Sequence, residues 1–78
     1  MNNYDHYKEA QSIISMLQGT SLSIYSEKLK DSMEKGSTGT EIFMALRWNI
    51  ERLLKEKNLN RSVRDRAQRL WEELDKSL

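Results

Sequence analysis

One histidine and no cysteine stand among the 78 residues, which removes much of protein chemistry before any element is drawn. A thiolate nucleophile, a disulfide and a thiolate metal site all need a residue this chain lacks. His6 lies near the start with no second metal ligand and no Ser or Asp relay beside it. The carboxylates are scattered over solvent-facing positions with basic neighbours, not paired in the apolar setting that prepares an acid or a base. Tyr4, Tyr7 and Tyr25 fall where the first two helices would meet, as aromatic core or as the lining of a pocket. No catalytic, cofactor or metal site assembles, and the residues predict a protein that is not an enzyme.

Two groups of residues have the chemistry of binding. Between Thr40 and Lys57, Ile42, Leu46, Ile50 and Leu53 recur at helical spacing and form one apolar stripe. Met44 and Trp48 lie roughly 160–200° away from Leu46 on the same helical wheel and form a second. A helix covered on one side by its own domain has no evident use for tryptophan on the other. Arg47 sits at the boundary of the two stripes, beside Trp and Met, a composition enriched at binding hot spots. Its plainer use is an ion pair with Glu51 one turn later. Met44, Arg47, Trp48 and Glu51 are therefore the candidate partner-binding residues. Asn49 falls near the covered side, where an amide bonds to a neighbouring turn and fixes helix register.

Arg61, Arg64, Arg66 and Arg69 form the second group, candidates for contact with nucleic acid. Residues 47–69 hold eight basic side chains against three acidic ones. Yet the four arginines surround their helix at roughly 160°, 100°, −60° and −120° from Val63, instead of lining one groove-facing side. Asp65 and Glu73 are i,i+4 partners for Arg61 and Arg69, and no aromatic residue interleaves with them as in single-strand binders. Nucleic acid stays the alternative partner.

Four helices must position these residues. The first begins near Asn3 or Tyr4, carries Tyr7, Ala10, Ile13, Ile14 and Leu17, and closes at Gly19 in the left-handed conformation. Thr20, Ser21 and Ser23 are the candidate N-caps of the second, which carries Leu22, Tyr25, Leu29 and Met33 and stops at Lys35-Gly36. Gly36-Ser37-Thr38-Gly39-Thr40 precedes the third helix, and helix N-termini attract anions. The turn lacks the Gly-Lys-Ser/Thr ending of a P-loop, and no strand precedes it. Thr38 and Glu41 instead form a capping box. The third helix runs to about Lys57, with Asn58 as a left-handed end and Leu59 as its apolar contact. Asn60 or Ser62 opens the fourth, whose narrow seam is Val63, Ala67, Leu70, Leu74 and Leu78, with Trp71 at the edge.

Proline is absent, glycine is limited to three, and the formal net charge is +1. Long uninterrupted helices with short connections follow, and no global field pulls the chain toward nucleic acid or anionic lipid. No apolar run approaches the ~20 residues that cross a bilayer, and the polar opening lacks the pattern of a signal peptide. The expectation is a cytoplasmic, all-α protein: one helical domain over residues 1–78, folded as a four-helix up-down bundle and open to dimerisation.

The stretch from Gly36 through Trp48 resembles a segment of small, uncharacterised all-helical proteins of bacteria. They have a similar Gly-Ser-Thr-small-Thr-Glu-Ile turn, followed by Met, Leu and an Arg-aromatic pair. The resemblance implies a bacterial or phage-like origin and assigns no activity, cofactor or ligand residue. Read together, the residues predict a module that binds itself or a protein partner through its third helix. Immunity proteins, antitoxins and adaptors are the analogous types.

Overall fold

Asp5 starts the first helix: its carboxylate accepts the Lys8 backbone N–H at 3.0 Å, and α1 runs His6–Leu17. The start falls slightly inside Asn3 and Tyr4 because that aspartate takes the cap. The computed structural model describes residues 3–78; Met1 and Asn2, which open the polar N-terminal stretch, lie outside them. Three further helices follow, α2 over Ser23–Lys35, α3 over Gly39–Leu54 and α4 over Arg61–Lys76, with no strand among the described residues. None of the four helices is long and apolar enough to cross a membrane.

The turn from α1 to α2 uses Gly19 at φ 77°, following Gln18 at φ −63° and ψ 136°. With Thr20 N–H on the Leu17 carbonyl at 3.2 Å, this is a type II turn, which demands a residue free to take positive φ. None of Thr20, Ser21 and Ser23 is the N-cap of α2. Leu22 takes that place with no side-chain cap bond, because the Thr20 hydroxyl already donates to Leu17 and accepts the Leu22 N–H. Gly36 ends α2 in extended conformation at φ −71°, and it is needed for another reason: a Cβ there would collide with Ile42.

Thr38 caps α3 as its spacing predicts, accepting the Glu41 N–H at 3.1 Å. The Glu41 carboxylate reaches back to the hydroxyls of Ser37 and Thr38, which hold its pKa below the usual carboxylate range. The other end of α3 differs from expectation. The helix stops at Leu54, short of Lys57, and Asn58 is not left-handed, since no described non-glycine residue has positive φ. Arg64 of α4 takes over the capping. Its guanidinium donates to the carbonyl of Leu54 at 2.7 Å and of Glu56 at 2.6 Å, satisfying helix-end acceptors from a neighbouring helix. Asn58 instead donates to the Ser21 hydroxyl at 2.9 Å. Asn60 caps α4 by accepting the Ser62 N–H.

Neighbours in sequence are neighbours in space: α1 packs on α2, α2 on α3, α3 on α4, and α4 closes back on α1. One cluster fills the centre, with Ala10, Ile13, Leu29, Leu46, Ile50, Leu53, Ala67, Leu70 and Leu74 sealed from solvent. Leu59 is buried beside it, while Leu78 is not part of the seam: α4 ends at Lys76 and Leu78 remains 45% exposed. Polar side chains set the register inside this apolar frame. Ser26 donates from α2 to the Ile14 carbonyl of α1 at 3.2 Å, and Asn49 of α3 donates to Ser32 of α2 at 2.9 Å.

Arg64 links the end of α3 to α4, so Arg64→Ala should lower stability by about 1–3 kcal/mol, two carbonyls having lost a charged donor. Arg64→Lys should not restore it, because a point ammonium lacks the fork that reaches both oxygens. Urea denaturation checks this. An unchanged midpoint at unchanged m-value would show that the guanidinium contributes nothing to the cap.

Candidate functional site

Packing against α2 and α4 consumes one side of α3 and leaves the other in water. Leu46, Ile50 and Leu53 are sealed, whereas Met44 is 52% exposed and Trp48 is 63% exposed. The two stripes foreseen on this helix thus face opposite ways, and the outer one belongs to the surface. Arg52 lies one turn on, its guanidinium carbon 5.7 Å from the centre of the Trp48 ring. That distance is within reach of a cation–π attraction, which holds the indole against the helix.

The flank toward α4 is ordered by cross-helix contacts. Arg47 does not pair with Glu51; its guanidinium forms an ion pair with Asp75 near the end of α4. Glu51 accepts the Trp71 indole N–H at 3.3 Å instead. Contacts with α4 thus replace the i,i+4 pair. Met44, Arg47, Trp48 and Glu51 therefore share one continuous surface, to which α4 adds the half-buried Trp71 and the exposed Asp75. Sequence spacing puts the first four on one side of α3. Trp71 signalled only as a stripe edge, and Asp75 carried no signal, because its role depends on which helix lies beside α3.

The arginines of α4 have separate duties. Arg64 caps α3, as above. Arg66 grips Glu9 of α1 with two bonds, at 2.6 Å and 3.0 Å, which raises its own pKa further. Arg69 donates to Glu73 at 3.1 Å and lies 5.0 Å from the Tyr4 ring centre. Hydrogen bonding from Arg69 is the main reason that the Glu73 pKa is lowered. Arg61 is exposed, and no ion pair joins it to Asp65. Three of the four guanidiniums thus spend their donors inside the molecule.

The tyrosines do not line one pocket between α1 and α2. Tyr25 donates to Glu56 at 2.7 Å, a bond that raises its pKa, while Tyr7 lies against Phe43 with ring centres 5.6 Å apart. Tyr4 sits on the α1–α4 side, in an open cleft of about 660 Å³ with Lys8, Glu9, Arg66, Arg69 and Glu73 among its walls. His6 packs between Tyr4 and Phe43 and donates from Nε2 to the Glu73 carbonyl at 3.2 Å. Among the described residues, no group of three or more His, Asp and Glu side chains is placed to hold a metal ion.

The Tyr4 hydroxyl is buried without a hydrogen-bond partner, and its pKa is pushed up to about 12, first by burial and then by Glu9. An unfolded tyrosine ionises near 10.0, so the unfolded chain loses this proton first as pH rises. The contribution is whole below pH 10 or so and is lost as pH climbs through about 12. Denaturation midpoints should therefore fall less over that window in Tyr4→Phe than in the natural chain; equal falls would show the hydroxyl to be solvated. For the arginines, a fluorescence titration with mixed-sequence DNA and RNA should show no tight complex at physiological salt. Submicromolar binding that weakens steeply with added salt would restore them as a nucleic-acid surface.

Comparison with protein-family models, with curated proteins and with solved structures finds no match to this chain.

Proposed function

We propose that the chain is a non-enzymatic protein-interaction module whose working surface is the outer face of α3. One observation carries the reading: a tryptophan and a methionine, four residues apart, stay more than half exposed on a helix whose opposite side is sealed. Exposed tryptophan rimmed by ordered polar groups is the anatomy of a protein contact, since its large rigid surface is costly to leave in water. Arg47, Glu51 and Asp75 supply that rim. The reading includes an up-down course for the four helices, supported by cross-helix pairs that run in opposite order, Ser32 with Asn49 and Tyr25 with Glu56. It also includes a cytoplasmic setting and a bacterial or phage-like origin, the latter resting on the resemblance of residues 36–48.

A photo-crosslinking residue at the centre of the face tests it. Trp48→benzoylphenylalanine should give discrete protein adducts on irradiation in bacterial cells, and Lys28→benzoylphenylalanine, on the exposed side of α2, should not. An adduct of twice the chain's mass identifies a second copy, and any other mass a different protein. A folded Trp48 variant that yields no adduct overturns the proposal.

A further inference from the structure

We infer that the occupant of the α3 face is a second copy of this chain, set antiparallel across a two-fold axis level with Asn49. The inference rests on the reading of α3 as a protein-binding face and adds the partner and its register. Arg47 and Glu51 lie one turn apart on the same flank, beside the exposed Trp48. A two-fold axis lying in the contact plane reverses the helix direction and brings each flank against its own copy. The base of one chain then meets the acid of the other, twice. Under this axis an acid and a base one turn apart complement their own copies, and Arg47, which spends one donor on Asp75, keeps others for Glu51 of the partner subunit.

Three further observations agree with this register. Arg47 and Glu51 are already held by Asp75 and Trp71, so little side-chain freedom remains to be lost on contact. With the axis at Asn49, the two Trp48 side chains lie about 3 Å apart along the helix direction, close enough for the indoles to cover one another. Met44 then falls level with Leu54 of the partner subunit. A stable contact needs about 800 Å² from each partner, roughly 15% of the 5243 Å² this chain exposes. A net charge of +1 does not hold two copies apart.

Sedimentation equilibrium on the whole chain, with a charge-swap series, tests the proposal. The natural chain should dimerise below about 100 µM. Arg47→Glu and Glu51→Arg should each weaken the dimer roughly tenfold or more, by setting like charges face to face. The combined Arg47→Glu, Glu51→Arg variant should recover part of the loss, because the swap restores both cross-pairs although Asp75 and the Trp71 indole lose their partners on α3. Met44→Glu with Trp48→Glu should leave a folded monomer by circular dichroism. A natural chain that stays monomeric throughout, or single swaps that weaken the dimer with no recovery in the double, overturns the antiparallel copy while leaving the wider reading to the adducts at position 48. A Met44→Glu, Trp48→Glu variant that unfolds overturns both, since the two residues would then be core.

Discussion

Each helix of this bundle rests chiefly on two others, and that constraint decides what the remaining surface can be. Four helices of 12 to 16 residues arranged in a ring cover one broad face of each and no more. For α1, α2 and α4 the uncovered sides are mostly polar, as a half-buried helix requires. Only α3 has a paired methionine and tryptophan there. A domain of this length cannot wrap a helix completely, so the outer stripe of α3 either meets water or meets another protein.

The same constraint explains where the charges go. In sequence the basic stretch from Arg47 to Arg69 has the look of a surface for polyanions. In space Arg47, Arg64, Arg66 and Arg69 point at different neighbours: the end of α4, the end of α3, Glu9 of α1, and Glu73 together with the Tyr4 ring. Long side chains with forked donors reach from one helix to the next. Exposed ion pairs add little energy individually. Their effect is to fix which flank of one helix lies beside which flank of the next, and Arg64 adds satisfied carbonyls at a helix end.

Periodicity in the sequence captured what depends on one helix alone. Val63, Ala67, Leu70 and Leu74 are buried as their spacing demands, the Thr38 cap forms, and Met44 and Trp48 emerge opposite Leu46. What failed depends on neighbours. The Arg66–Glu9 grip joins residues 57 apart, and no local pattern announces it. The left-handed end expected at Asn58 is missing because Arg64, from another helix, does the same work, and Leu78 leaves the seam because α4 has already stopped. The i,i+4 pair open to Arg47 and Glu51 on α3 alone does not form, because Asp75 and Trp71 of α4 take one side chain each.

That last substitution of partners bears on recognition. Bonded to Asp75 and to the Trp71 indole, Arg47 and Glu51 stay separated along the helix, Arg47 with donors beyond the one that Asp75 takes and Glu51 with its charge unpaired. The contacts that anchor α3 to α4 therefore also keep an ordered acid and an ordered base at the edge of an exposed tryptophan. With no cysteine to cross-link so small a core, a partner that covered this face would add stability rising with its concentration. In the proposed association, folding and recognition would draw on the same helix, one from its inner stripe and the other from its outer one.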